Sequence, residues 1–412
     1  MDKLLITQMS VKNVPCILCA WMEDGKTAEI SFAPLDQPDI LGNIYVGQVE
    51  RVLPNIQGAF VRIDKKRFCF YSLREQNQAI YTNGKRQVNG RYVLKAGDQL
   101  LVQVVREQMR GKRPTVTSKL AFSGKYLVLV AANSYLRLSR KLVGDDRVRL
   151  RELLGPEMSE DYGIIVRTNA GQADPQNILR ELSVLKKRFY QVLEKGRSRV
   201  SGSLVEEAQP FYLNAIRDAY TDRLEEIVTD VPEIQEKIQA YLEEYHPEDL
   251  HWLRLYQDAL LPLYKLYGLE HTLSEIQKNR VWLKSGGFLV IEQTEAFVSV
   301  DVNTGRYVSD KESQETYRKI NLEAAGEIAA QLRLRNLSGI ILVDFINLNK
   351  PDDEEELMHV FQEHLKKDSV KAKVVDMTAL KIVEVTRQKV RRPISEDFQA
   401  LETETELERK EL

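Results

Sequence analysis

The chain has 412 residues, 43% hydrophobic and 29% charged, an ordinary globular composition whose length suits about two to four modules rather than one core. Its net charge of −2 excludes a uniformly basic polyanion binder, but the charge is uneven: Leu101 to Arg151 holds 12 Lys/Arg against 3 Asp/Glu, and Asp222 to Asp249 holds 2 against 10. A local basic surface attracts a polyanion whatever the total, although a solvated face has the same composition. No apolar run reaches the roughly 18 residues of a membrane span, and MDKLLITQMS lacks a signal-peptide pattern, so a cytoplasmic chain with no membrane partner is expected.

The first 35 residues read as short strands with a turn at Glu23, Asp24 and Gly25. Cys16 and Cys19 form a CxxC inside the apolar run VPCILCAW, where residues three apart point to opposite faces of a strand. With only Cys69 besides, and five scattered histidines, a core strand is the reading rather than a disulfide, redox or zinc site. From Gly42 to Asp64, GNIYVGQVERVLPNIQGAFVRID alternates apolar and polar residues around a Pro-Asn turn, and short strands follow near Arg67 to Ser72 and Gln99 to Arg106. Such closely spaced strands predict a small barrel, with Arg74 to Lys95 a polar excursion from it. Pro114 to Leu213 mixes strands, KYLVLVAA and YGIIVRT, with a helix over Gln176 to Lys195. Tyr212 to Tyr267 carries acidic helical patterns broken at Pro232, Pro247 and Pro262. Arg280 to Pro393 alternates strand, helix and strand, as an α/β layer does. Its helix, about Glu315 to Arg335, sets Ala324, Ile328 and Leu332 on one core face and Arg333 and Arg335 at the negative end of the dipole. Residues 396–412, EDFQALETETELERKEL, read as a charged acidic tail.

Two aspartates end apolar, strand-like runs in the last third of the chain. Asp301 lies in GGFLVIEQTEAFVSVDVNTG, Gly286 to Gly305, and Asp344 in GIILVDFINL, Gly339 to Leu348. Converging carboxylates on rigid strand ends are hard oxygen ligands that can hold magnesium beside a phosphate, which points to phosphodiester hydrolysis. A lone aspartate there is usually a turn or cap residue, but two in matched settings favour the site. Asn303, two residues beyond Asp301, faces the same side of an extended chain. Glu292 and Glu295 are near, but one step of register would turn either away.

The segments TEAFVSVDVNTGR and NLEAAGEIAAQLRLRNLSGIILVDFI, with the spacing of the two aspartates and the amphipathic helix between them, resemble the catalytic core of the ribonuclease E/G family of bacterial endoribonucleases. The resemblance runs nearly the whole chain to about Pro393, and the length suits members without a long scaffold tail. It implies an α/β multidomain protein: an OB-fold RNA-binding barrel (36–118) inserted in a ribonuclease-H-like scaffold (1–35 and 214–279), a 5′-sensor region (119–213) and a DNase I-like catalytic domain (280–395), followed by the acidic tail. By the same resemblance Asp301, Asn303 and Asp344 are catalytic, with Mg2+ on the two aspartates. Arg167 and Thr168 grip the 5′-monophosphate of the RNA, with backbone contacts from Gly124 and Val128, and Phe60, Phe70 and Lys112 contact RNA on or beside the barrel. The activity implied is cleavage of single-stranded RNA, in ribosomal-RNA maturation or messenger decay, to 5′-phosphate and 3′-hydroxyl ends.

Read as residues alone, VRT at 166–168 is a strand end, although an arginine fork beside a hydroxyl suits a phosphate monoester. Phe60 and Phe70 are aromatic stacking platforms or barrel core, and for Phe60, in an alternating strand, the two readings weigh about the same. The family's CPxC zinc-link is missing, since no cysteine follows Cys69, so any homo-oligomer is expected to form without it. One rival reading is a non-catalytic RNA-binding or ribosome-associated factor using the OB-fold, which the presence of both aspartates and Asn303 disfavours. Another is a phosphoesterase for DNA or a small ester, since fold does not fix substrate.

Overall fold

A computed structural model describes residues 2–35, 40–83, 93–106, 113–131, 133–219, 224–305 and 314–411, with side chains to 402. The chain divides into two compact units. The first comprises Met1–Asp36, Glu225–Pro232 and Arg254–Leu412, the second Gln37–Leu224 and Glu233–Leu253. Among the described residues no helix is long and apolar enough to cross a membrane.

The chain opens with Asp2–Val11 (β1), Val14–Glu23 (β2) and Lys26–Pro34 (β3), an antiparallel meander. Its second turn is Asp24-Gly25, both at positive φ (48° and 76°), which matches the twist of a tight hairpin. Cys16 and Cys19 are both buried in β2, and burial pushes the Cys19 thiol up to about 12.

In the second unit Ile44–Leu53 (β4), Gly58–Arg62 (β5), Phe68–Ser72 (β6), Ile80–Tyr81 (β7), Gln99–Arg106 (β8) and Thr115–Thr117 (β9) build the predicted barrel. The order β4-β5-β6-β9-β8 closes because β8 pairs back onto β4, giving a closed five-stranded barrel consistent with an OB-fold. Val61, Cys69, Tyr71, Leu100, Val102 and Val116 fill it. Of the predicted excursion, Leu73–Gln78 is a 3₁₀ turn leading to β7, and 84–92 lies outside the described residues. Ala121–Ser123 (β10), Leu127–Ala131 (β11), Leu136–Leu138 (β12) and Tyr162–Val166 (β13) form a four-stranded sheet, with Asp145–Leu154 (α1) between the last two. Pro175–Ser198 (α2) is capped by Asp174, whose carboxylate accepts the Gln176 N–H. Leu204–Glu206 (β14) joins the outside of β4.

The stretch read as acidic helices contains strands as well. Phe211–Asp218 (α3) and Pro232–Tyr245 (α4) flank Leu224–Thr229 (β15), and Leu253–Leu255 (β16) follows. Pro232 and Pro247 stand at helix starts, where a missing N–H costs nothing. In the first unit β15 and β16 extend the opening meander to the order β16-β15-β1-β2-β3. Leu263–Leu266 (α5) and Leu269–Glu275 (α6) then pack on that sheet.

The last segment forms a six-stranded sheet. Its elements are Arg280–Trp282 (β17), Phe288–Gln293 (β18), Val298–Asn303 (β19), Gln314–Leu334 (α7), Gly339–Asp344 (β20), Pro351–Leu365 (α8), Ala372–Met377 (β21) and Ile382–Arg387 (β22). The order is β17-β18-β19-β20-β22-β21, with β19 and β20 parallel across α7. Inward valines and isoleucines pack against Ala324, Ile328 and Leu332 of α7 and Phe361 of α8. Arg333, at the end of α7, pairs with Glu23 (2.8 Å) and Glu29 (3.0 Å), so it fastens the helix to β2 and β3 beyond any dipole effect. Ile394–Glu411 (α9) covers the stretch read as a charged acidic tail, and Ile394, Phe398 and Leu401 are buried in the core of the opening sheet.

Candidate active site

The six-stranded sheet has one covered and one open face, and period-two alternation assigns every residue to one of them. Val298, Val300 and Val302 of β19 and Ile341 and Val343 of β20 point inward, whereas Asp301, Asn303 and Asp344 point to the open face. Asp301 stands directly opposite Asp344 in the parallel register, one strand spacing or about 4.8 Å away. Asn303 Nδ2 donates to Asp301 Oδ2 at 2.8 Å, which fixes one carboxylate oxygen. Glu292 shares the open face opposite Ser299, and Glu295 lies in the β18–β19 turn.

Both aspartates are exposed, and among the described residues no lysine or arginine pairs with either. Partial burial of the carboxyl, and then the Asp301 charge, hold Asp344 above the usual carboxylate range. Two adjacent unneutralised carboxylates are a donor set for a cation. Magnesium commonly takes one or two protein carboxylates and keeps its waters, so the pair fits it. A structural zinc site needs four donors, and among the described residues no group of three or more His, Cys, Asp or Glu gathers.

In the second unit Arg167 follows β13 directly. Its N–H donates to Tyr126 O (2.7 Å) and its guanidinium to Gly124 O (2.8 Å), while Asp218 ion-pairs with it at 2.7 Å. Burial pushes the Asp218 carboxyl up, but hydrogen bonds and charge from Arg217 and Arg167 outweigh this and hold it low. Thr168 is exposed, with its hydroxyl 2.9 Å from that of Ser139. Gly124 donates its own N–H to Leu127 O, and Val128 sits in a central strand opposite Ser123 and Ile165. Beneath them lies a residue that sequence reasoning missed. Glu181 of α2, wholly buried, accepts the backbone N–H groups of Lys125 (2.6 Å), Tyr126 (2.9 Å) and Leu127 (2.8 Å). A Cβ at position 124 would lie 2.3 Å from this carboxylate, so the site requires glycine. A buried glutamate in an amphipathic helix is the one signal that could have revealed it.

On the barrel the core reading of the two phenylalanines fails. Ala59, Val61, Cys69 and Tyr71 take the inward positions of β5 and β6, so Phe60 and Phe70 point outward, half-buried and directly opposite each other. The Phe70 ring lies over Gly58, where a Cβ would sit 2.2 Å from it. Lys112 lies outside the described residues. Its neighbour Arg113 places its guanidinium 4.8 Å from the Phe60 ring centre and 5.7 Å from that of Phe68, which is 38% exposed. The run GKRP carried this second cation.

Residues 121–390 match the Ribonuclease E/G family. Ribonuclease G of Escherichia coli (strain K12) is 32% identical over 382 residues, which are 91% of this chain and 78% of that protein. Ribonuclease G of Haemophilus influenzae is 31% identical over 379 residues, 90% of this chain and 77% of that one. Ribonuclease E of the same organism is 30% identical over 353 residues, 84% of this chain but 38% of its own length. The paired aspartates therefore stand within a match that spans nearly the whole sequence, and the chain belongs to the ribonuclease E/G family.

Proposed function

We propose that this endoribonuclease cleaves single-stranded RNA with Mg2+ on Asp301 and Asp344, leaving 5′-phosphate and 3′-hydroxyl ends, and that it acts faster on RNA bearing a 5′-monophosphate. The observation that carries the reading is the Asp301–Asp344 register pair, bare of any cationic partner among the described residues and braced by Asn303. When bound there, the metal would supply Lewis-acid polarisation of the scissile phosphate and a more acidic water. The aspartates would fix its place, and Asn303 would orient Asp301. Arg167 keeps donors beyond those spent on Gly124 O and Asp218, and with the Thr168 hydroxyl it would take the terminal phosphate. Phe60 and Phe70 would pack or stack against bases, with Lys112 as a further basic contact. Single-stranded regions of ribosomal-RNA precursors and messengers are the expected substrates in the cytoplasm.

The test compares a short single-stranded RNA carrying 5′-monophosphate or 5′-hydroxyl, with magnesium, for wild type and an Asp301→Asn, Asp344→Asn double variant. Cleavage should fall at least about a hundredfold in the double variant, the scale of losing one dominant electrostatic contribution. Monophosphate RNA should be cut faster by wild type. Equal cleavage by the double variant would remove the catalytic assignment, and equal rates on the two RNAs would remove the sensor alone.

A further inference from the structure

The open face of the catalytic sheet continues past the aspartates to its edge strand. Val281 of β17 packs toward the core, which turns Arg280 and Trp282 outward. The register then aligns two rows across three strands. Trp282 stands opposite Phe288, which stands opposite Asn303; Arg280 stands opposite Val290, which stands opposite Asp301. Both outward residues of the edge strand thus lie two strand spacings, about 10 Å, from the Asp301–Asn303 pair.

What occupies this edge is unusual for a soluble surface. The Trp282 side chain is 63% exposed, although tryptophan is among the side chains most strongly buried on average. Its ring meets that of Phe288 at 5.3 Å between centroids. The Arg280 guanidinium lies 4.4 Å from the Phe288 centroid and 5.7 Å from that of Trp282. Among the described residues no carboxylate pairs with Arg280. The cation therefore covers Phe288, keeps its outer donors open, and leaves the indole as the uncovered aromatic face.

We infer that Arg280, Trp282 and Phe288 form a nucleotide subsite for the RNA strand flanking the scissile phosphate, with a base stacked on Trp282 and a backbone phosphate held by Arg280. The inference rests on the nuclease reading of the aspartates. Continuity of register argues for RNA as occupant, because a strand reacting at Asp301 and Asp344 must leave the site across one neighbouring strand or the other. On the β18 side it meets an aromatic ring and a free cation, the two groups that bind single strands without demanding a sequence. Phosphate recognition by the planar guanidinium fixes the backbone, and stacking holds the base.

The experiment is steady-state cleavage of a single-stranded RNA by wild type, Trp282→Ala, Trp282→Phe and Arg280→Gln, with size in solution measured for each. Loss of one stacking contact predicts a KM rise of about tenfold in Trp282→Ala with kcat falling less than about threefold, and Trp282→Phe should recover most of the loss. Arg280→Gln should raise KM and weaken its dependence on salt. Adding RNA to the cleavage-deficient double aspartate variant should quench tryptophan emission, and Trp282→Phe in that background should remove most of the quenching. Unchanged KM in Trp282→Ala while wild type cuts RNA would overturn the subsite and leave the nuclease standing. A fall in kcat without a KM change would overturn it too, as would a changed assembly size with normal KM, which would make this edge an interface between copies. Failure of wild type to cut RNA would instead remove the underlying reading.

Discussion

His246 is a buried side chain through which pH is predicted to bear on the stability of the second unit. It is buried, with Nε2 3.3 Å from Glu181 and Nδ1 3.6 Å from Glu248, and its ring packs edge-on against Tyr126 and beside Tyr241 and Tyr245. Lys125, paired with Asp249, is the nearby cation that opposes its protonation. Burial disfavours the imidazolium, but the nearby Glu181 and Glu248 carboxylates favour it and prevail, and the folded pKa stands above the ordinary histidine value. Because the folded value exceeds the unfolded one, the stabilisation is complete below about 6.5 and is lost as pH rises through the folded value. Denaturant unfolding should therefore show stability declining as pH is raised above about 6.5, and His246→Gln should flatten that decline. A wild-type profile already flat there, or a slope that survives the substitution, would refute the assignment. Glu181 also holds the loop whose Gly124 and Tyr126 carbonyls anchor Arg167, so the same cluster braces the proposed phosphate pocket.

Among the elements, α9 is where sequence reading and structure part most clearly. Its apolar positions, Ile394, Phe398 and Leu401, are spaced four and three apart, which is a helix face, but the surrounding charges read as a charged acidic tail. The Phe398 ring meets Phe32 of β3 at 5.0 Å and is 5% exposed. Phe398→Ala should destabilise the first unit by about 3 to 5 kcal/mol through lost burial and a residual cavity. A denaturation midpoint within error of wild type would show that the helix is not docked. The strand LEEIVT of β15 was misread for a related reason: two acids in six residues mask its alternation, and its partner β1 lies more than 200 positions away, where no local signal reaches. By contrast β5, β6, β19 and β20 were legible, because each buries one face and alternates accordingly. The meeting of Asp301 and Asp344 also has a local cause. A strand, a helix and a strand of these lengths form a parallel crossover, which brings the two carboxyl ends to the same edge of the sheet. The exact register, and the outward turn of Phe60 and Phe70, depend on pairings that the linear pattern leaves open.

On the scale of the whole molecule, charge explains how a chain of net −2 can engage a polyanion. What matters is where cations stand, and Arg113, exposed above Phe60 and beside Phe68, joins a cation to an aromatic patch on the barrel. The two kinds of contact have different signatures. A cation that neutralises a phosphate releases counterions, so each one adds about −0.7 to the slope of log affinity against log salt for a single strand. Stacking of a base on phenylalanine contributes affinity, about 1 to 3 kcal/mol per base, with little salt dependence. Arg113→Gln should therefore flatten the salt slope of single-stranded RNA binding by about 0.7, whereas Phe60→Ala should weaken binding at every salt concentration and leave the slope in place. Fluorescence anisotropy with a labelled single strand, measured on the double aspartate variant so that the RNA stays intact, reads both quantities. If Arg113→Gln leaves the slope unchanged, its guanidinium serves the aromatic cluster alone. If Phe60→Ala changes the slope as much as Arg113→Gln does, the ring acts by placing the cation rather than by stacking a base, and the barrel surface would then bind RNA through charge.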